Sequence, residues 1–301
     1  MSRPAMGFVG VDTGHSSIMK VFPRWADHLG LATRELRGHD VPLGAPDAVY
    51  RDLVTAIRDD DSHLGALVTT HKIRMFEAAR DLFDELDDIS LQCGEISSIS
   101  KRDGRLLGGA KDPLTAGLAL REILPGGWFA DGGEVVCLGS GGAGTAITTY
   151  LAQTDDPPAR ITVTDVEDGR LAHLRAVHDR AGLAPERFRY VVTDHPDDLV
   201  ASAPARSLVV NATGLGKDRP GSPVGDATVF PRGAVVWEIN YRGTLDFLRQ
   251  AEAQQAERGL RVHDGWRYFV HGWTHAVAEV FGVKMTPALV DELAELAAEV
   301  R

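Results

Sequence analysis

Six consecutive residues constrain this chain more than any others. Gly139-Ser140-Gly141-Gly142-Ala143-Gly144 follows the apolar run Val135-Val136-Cys137-Leu138 and precedes a helix-forming stretch, residues 145–151. In a G-x-G-x-x-G turn the first glycine makes the tight turn. The second lets the backbone approach a pyrophosphate, and the third lets helix and strand pack closely. The helix start offers unpaired N–H groups and a positive dipole end to the phosphates. A second strand, residues 161–164, ends in Asp165, about 20 residues beyond the third glycine, where a carboxylate can accept a ribose 2′-hydroxyl. Strand, glycines, helix and acid in this order predict a dinucleotide-binding, doubly wound sheet. Asp165 favours NAD as the cofactor, and Arg170 nearby could serve the 2′-phosphate of NADP.

The rest of the chain continues the alternation of short apolar runs and helical stretches that marks α/β proteins. Further strands are expected at 8–11, 64–70, 188–192, 207–210, 234–239 and 260–262. Helices are expected at 73–86, 114–124, 168–182, 244–259, 271–281 and 287–300. Arg102-Asp103-Gly104 reads as a hairpin turn between 96–100 and 106–107. Asp112-Pro113 and Thr286-Pro287 each read as an N-cap with proline at the first helical position. The expected architecture is an N-terminal α/β substrate domain, residues 1–112 with 266–301, and a Rossmann domain, residues 113–265. The C-terminal helices return to the first domain.

Composition narrows the partners. A length of 301 residues suits about two domains. The net charge of -11 and the lack of a basic block argue against binding nucleic acid or anionic lipid. No apolar run approaches the roughly 20 residues of a membrane helix, and no signal-peptide pattern opens the chain. Cys93 and Cys137 show no metal or disulfide spacing, and Cys137 reads as strand core. A cytoplasmic, reduced location is expected.

Strand ends are where α/β sites gather. Lys72 closes one strand, and Asp112 opens the helix after the last strand of the first domain. A lysine brought toward neutrality by desolvation can act as general acid or base beside a carboxylate. His271, His275 and Glu279 share a helix face, but without the H-E-x-x-H order, so no metal is expected.

Over nearly its whole length the chain resembles the shikimate dehydrogenase family, which joins a substrate domain, a Rossmann domain and returning helices. The family's H-S-x-S-P loop is matched by His15-Ser16-Ser17-Ile18-Met19. Its N-V-T-x-P-x-K stretch is matched, one residue shorter, by Leu67-Val68-Thr69-Thr70-His71-Lys72. A-x-N-T corresponds to Glu95-Ile96-Ser97-Ser98, and N-T-D-G to Ala110-Lys111-Asp112-Pro113. N-A-T-x-x-G is matched in full by Asn211-Ala212-Thr213-Gly214-Leu215-Gly216.

The resemblance implies that Lys72 and Asp112 are the catalytic pair. Nicotinamide C4 would exchange a hydride with a ring carbon while Lys72 exchanges the proton of its oxygen. It places Ser16, Ser17, Thr69, Ser97, Tyr241 and His271 around a small cyclic substrate, and Asn211, Thr213 and Gly214 with the glycine turn at the cofactor. The departures are as informative. One carboxylate-anchoring serine becomes Ile18, two ring-binding asparagines become Leu67 and Ser97, and the glutamine of the C-terminal helix becomes His271. Each lost buried partner costs about 1–3 kcal/mol, so the chemistry reads as retained and the substrate as altered. Lys111 and His71 add cationic groups for it.

Two other functions compete with this reading. A methylene-tetrahydrofolate dehydrogenase shares the architecture, but that family places a tyrosine four residues before its lysine, where this chain has Val68. A non-catalytic dinucleotide sensor would explain the lost substrate groups, but not Lys72 and Asp112. A homodimer is compatible with the sequence, which carries no strong dimer signature.

Overall fold

A computed structural model describes residues 3–217 and 219–300. The chain divides into two compact units, Met1–Lys111 with Val270–Arg301, and Asp112–Phe269.

The first unit begins β1 (Ala5–Gly10), α1 (Ile18–Leu29), β2 (Leu36–Asp40), α2 (Asp47–Asp59), β3 (His63–Val68) and α3 (Lys72–Ala79). It continues with β4 (Glu85–Leu86), α4 (Asp88–Cys93), β5 (Ser98–Arg102) and β6 (Arg105–Gly109). The sheet runs β2-β1-β3-β5-β6-β4. β1 lies parallel to β2 and β3, and β5 lies antiparallel to β3 and β6. Ile18, Val21, Phe22, Trp25 and Ala26 form the buried stripe of α1, at the spacing an amphipathic helix requires. The hairpin turns through Asp103 and Gly104, at φ 53° and 74°, the left-handed pair of a type I′ turn.

One expected helix stops early. The apolar period over 73–86 continues, yet α3 ends at Ala79 and gives way to a 3₁₀ turn and then β4. Asp84 explains the break: its N–H donates to Leu106 O, and its carboxylate accepts the Leu106 N–H. These bonds draw the chain onto the sheet edge. Leu82, Phe83 and Leu86 still face the core, which preserves the helical look of the pattern.

The second unit contains α5 (Asp112–Ile123), β7 (Val135–Leu138), α6 (Gly142–Ala152), β8 (Ile161–Asp165), α7 (Asp168–Arg180) and β9 (Phe188–Val192). α8 (Asp197–Ala201), β10 (Leu208–Asn211), β11 (Val235–Glu238), α9 (Asp246–Arg258) and β12 (Arg261–His263) complete it. The sheet order is β12-β11-β10-β7-β8-β9, and every pair is parallel. This is the doubly wound order whose direction reverses between β7 and β10, where ligands bind in such sheets. Alternate residues of β7 enter different cores: Val135 and Cys137 one, Val136 and Leu138 the other. A parallel strand covered on both faces is apolar throughout for this reason.

α10 (Trp266–Phe281) starts five residues before the expected position, because the Asp264 carboxylate accepts the Trp266 N–H and opens the helix there. α11 (Pro287–Ala298) begins as read, with Thr286 Oγ1 accepting the Leu289 N–H. Within the first unit, Trp25 Nε1 donates to Leu293 O at 2.7 Å, and Phe8 meets the edge of Trp273 at 4.9 Å. The C-terminal helices therefore pack on the N-terminal segment. Among the described residues no helix is long and apolar enough to cross a membrane.

Candidate functional site

The glycine turn has the geometry its sequence asks for. Gly139 leaves β7 at φ 103°, and a Cβ there would lie 2.7 Å from the Ala212 carbonyl. A Cβ on Gly144 would lie 2.1 Å from Gly139 O, so only glycine allows this helix–strand contact. Gly141 caps α6 without a side-chain bond, and a Cβ there would meet nothing within 4 Å. Gly141, Gly142 and Ala143 are partly exposed. A helix start free of side-chain caps, fronted by open space, fits a dinucleotide pyrophosphate.

Asp165 does something the sequence did not reveal. Its Oδ2 accepts both the N–H and the hydroxyl of Ser140, at 2.9 and 2.8 Å, and its Oδ1 accepts the Glu167 N–H at 3.2 Å. Asp165 and Ser140 are both buried. The carboxylate ties the two turns together, and the exposed charge lies further on, in Glu167 paired with Arg170 at 2.9 Å.

Across the switch point stands the segment after β10. Asn211 Oδ1 accepts the N–H and hydroxyl of Thr213, at 3.1 and 2.7 Å, and Gly214 turns at φ 77°. Asn211 is itself held by Glu238, fully buried at the end of β11. Burial pushes the Glu238 carboxyl up to about 7, against the pull of N–H donors from Asn240 and Asn211. Sequence reasoning misses Glu238; its signal is a lone acid ending the run Val235-Val236-Trp237. Tyr241 packs on Phe269 and Trp266, with ring centroids 4.3 and 5.7 Å away.

In the first unit Lys72 opens α3, and its carbonyl accepts the Ile96 N–H. Thr69 spends its hydroxyl on Val9 O at 3.0 Å. Ser97 Oγ accepts the Lys111 N–H at 2.7 Å. Both hydroxyls are thus committed to backbone. Ser16 is buried before α1, and Ser17 sits at its N-cap, half-buried and without a side-chain cap bond. Leu67 and Ile18 are buried apolar groups.

The expected cationic contacts are not delivered as free charge. Lys111 Nζ lies between Asp87 and Glu279 carboxylates, at 3.3 and 3.2 Å. His71 is buried, its Nδ1 3.0 Å from Tyr50 Oη, and burial pulls its pKa below the ordinary value. His271 is buried on α10, and its carbonyl faces His275 Nδ1 at 3.0 Å. Asp112 is the first residue of α5 in the second unit, one position inside the cap expected of it, and is buried.

No family model matches the chain. It is 30% identical to the shikimate dehydrogenase (NADP(+)) of Methylocella silvestris, over 96% of this chain and 95% of that protein. It is 29% identical to that of Methylobacterium radiotolerans, covering 97% of each. Quinate dehydrogenase from Corynebacterium glutamicum, solved in complex with NAD, shares the fold at TM-score 0.74 and 21% identity, covering 99% of both chains. Shikimate 5-dehydrogenase from Thermus thermophilus, solved with NADP(H) and shikimate, matches at TM-score 0.70 and 25% identity, over 98% of this chain and 99% of that one. The chain belongs to the shikimate dehydrogenase family of NAD(P)-dependent oxidoreductases.

Proposed function

We propose that this protein is a cytoplasmic dehydrogenase that moves a hydride between a nicotinamide dinucleotide and a carbinol carbon of a small cyclic, hydroxylated acid or alcohol. The observation that carries the reading is the glycine turn after β7, open at Gly141 and closed to any side chain at Gly139 and Gly144. The bound nicotinamide supplies the hydride acceptor in one direction and the donor in the other. Lys72 takes the hydroxyl proton as the carbinol is oxidised and returns it on reduction. Asp112 orients Lys72 and the reacting hydroxyl as a carboxylate acceptor.

Substrate contacts fall to Ser16, Ser17, Thr69, Ser97, Tyr241 and His271. Leu67 and Ile18 offer no hydrogen bonds, and Ser97 and Thr69 already bond to backbone. A ring with fewer hydroxyls than shikimate suits such a set, since a hydroxyl held against an apolar wall gives up its bonds to water without replacement. Glu167 and Arg170, exposed beyond β8, take the part of reading the adenosine ribose that sequence spacing gives to Asp165. Glu167 would accept the 2′-hydroxyl of NAD, and Arg170 would face the 2′-phosphate of NADP. The assembly to test by light scattering is a homodimer.

The test is a screen of NAD and NADP against shikimate, quinate and less hydroxylated ring alcohols, read by absorbance of reduced nicotinamide. Turnover of at least one cyclic alcohol is expected. Dinucleotide binding with no turnover across the set would remove the dehydrogenase reading and leave the sensor.

A further inference from the structure

Glu238 is a buried acid to which the proposed reaction gives no task. It ends β11 in register with Asn211 at the end of β10. Three N–H donors converge on it. Oε1 accepts Asn240 N and Nδ2, at 2.8 and 2.6 Å, and Oε2 accepts Asn211 Nδ2 at 2.6 Å. The same two amides also donate to Leu215 O, at 3.3 and 3.2 Å. Glu238, Asn211, Leu215 and Asn240 therefore form a closed ring.

The ring controls the segment 211–216. Asn211 Oδ1 holds Thr213, and Thr213 Oγ1 accepts the Leu215 N–H at 3.1 Å. Residues 212 and 213 press against Gly139, where a Cβ would stand 2.7 Å from the Ala212 carbonyl and 2.9 Å from Thr213 N. One carboxylate thus sets the spacing between the two segments that meet at the switch point.

We propose that Glu238 is a positioning residue for the dinucleotide, and that its carboxyl group, by orienting Asn211 and Asn240, holds the 211–216 segment at the distance from the glycine turn that the cofactor requires. This rests on the cofactor reading above. The chemistry is specific. All three partners donate, and only a carboxylate accepts from all of them without presenting a hydrogen of its own. An amide of the same shape would aim its NH₂ at the NH₂ of Asn211. Asn211 would then either leave a donor facing a donor or flip and release Thr213.

The experiment measures binding of NADH and NADPH by nicotinamide fluorescence to the full chain, with KM and kcat on whichever alcohol turns over. Glu238→Gln should raise the dissociation constant and the KM for the dinucleotide about tenfold, the scale of one lost charge-assisted hydrogen bond. kcat should fall less. The loss should fall on the dinucleotide, with the KM for the alcohol little changed, because the ring holds the 211–216 segment. A purely packing role predicts instead that kcat and both KM values worsen together. If Glu238→Gln fails to fold, Asn240→Ala removes one donor and should weaken binding to a smaller degree. Wild-type affinity in Glu238→Gln or Asn240→Ala, or a kcat that falls as far as the dinucleotide affinity, overturns the proposal. A wild type that binds neither dinucleotide overturns the cofactor reading and the proposal with it.

Discussion

Asp165 Oδ2 accepts both the backbone N–H and the hydroxyl of Ser140, at 2.9 and 2.8 Å, from within a buried setting. The acid that sequence spacing assigns to the ribose is thus a strut between the two turns of the nucleotide crevice. Asp165→Ala would leave the Ser140 donors buried and unpaired, at a cost of about 1–3 kcal/mol. Urea denaturation should show that loss, with the NAD to NADP preference little changed. A large change in preference at wild-type stability would return Asp165 to the ribose.

Cofactor choice should respond instead two residues further on. Glu167 pairs with Arg170 at 2.9 Å, and both are exposed. Glu167→Ala removes a carboxylate that repels a 2′-phosphate and frees the guanidinium to meet it. The ratio of kcat/KM for NADP over NAD should rise about tenfold, the effect of roughly 1.4 kcal/mol. An unchanged ratio would exclude this pair from cofactor selection.

α11 depends on one indole. Trp25 is fully buried on α1, and its Nε1 donates to Leu293 O. Trp25→Ala loses that bond and opens a cavity, for about 3–5 kcal/mol. Hydrogen exchange should quicken first in α11, whose hold on α1 is weakened. Exchange confined to the second unit would show that the contact does not anchor the helix.

Acid stability carries a signature from His178. It lies buried between Thr148 Oγ1 and Tyr190 Oη, at 3.0 and 2.7 Å, and burial lowers its pKa from 6.5 to about 4. Between those values the unfolded chain binds a proton that the folded chain does not. Its contribution is therefore present above about 6.5 and is lost as pH falls toward 4. Glu238 acts oppositely: its folded pKa, raised from 4.5 to about 7, makes the folded state hold the extra proton, so its contribution declines as pH rises through that window. His178→Phe should flatten the plot of unfolding free energy against pH by about one proton over the acid window. An unaltered slope would contradict a neutral, buried His178.

Much of this was readable in residues alone. The continuous apolar runs of the second unit and the residues 139–144 specify a doubly wound sheet, because a parallel strand buried on both faces has no room for polar alternation. β2 was not readable, since Leu36-Arg37-Gly38-His39-Asp40 has one deeply buried apolar residue and pairs only at the sheet edge. The end of α3 was hidden because Asp84 acts through Leu106, on a distant strand. The family motifs assign parts to Lys72, Asp112 and Asn211 but do not tell how their neighbours are spent. Lys111 reads as a free cation until Asp87 and Glu279 are brought beside it. Glu238 reads as an ordinary strand-end acid until Asn211 and Asn240 close around it.

Proton transfer through Lys72 coupled to hydride transfer is tested by the rate of nicotinamide reduction in Lys72→Ala, measured beside its affinity for the dinucleotide. The kcat should be lower by about 10²–10⁴, the usual worth of a positioned acid–base group, with dinucleotide affinity retained. Wild-type turnover in Lys72→Ala would contradict proton transfer through this lysine.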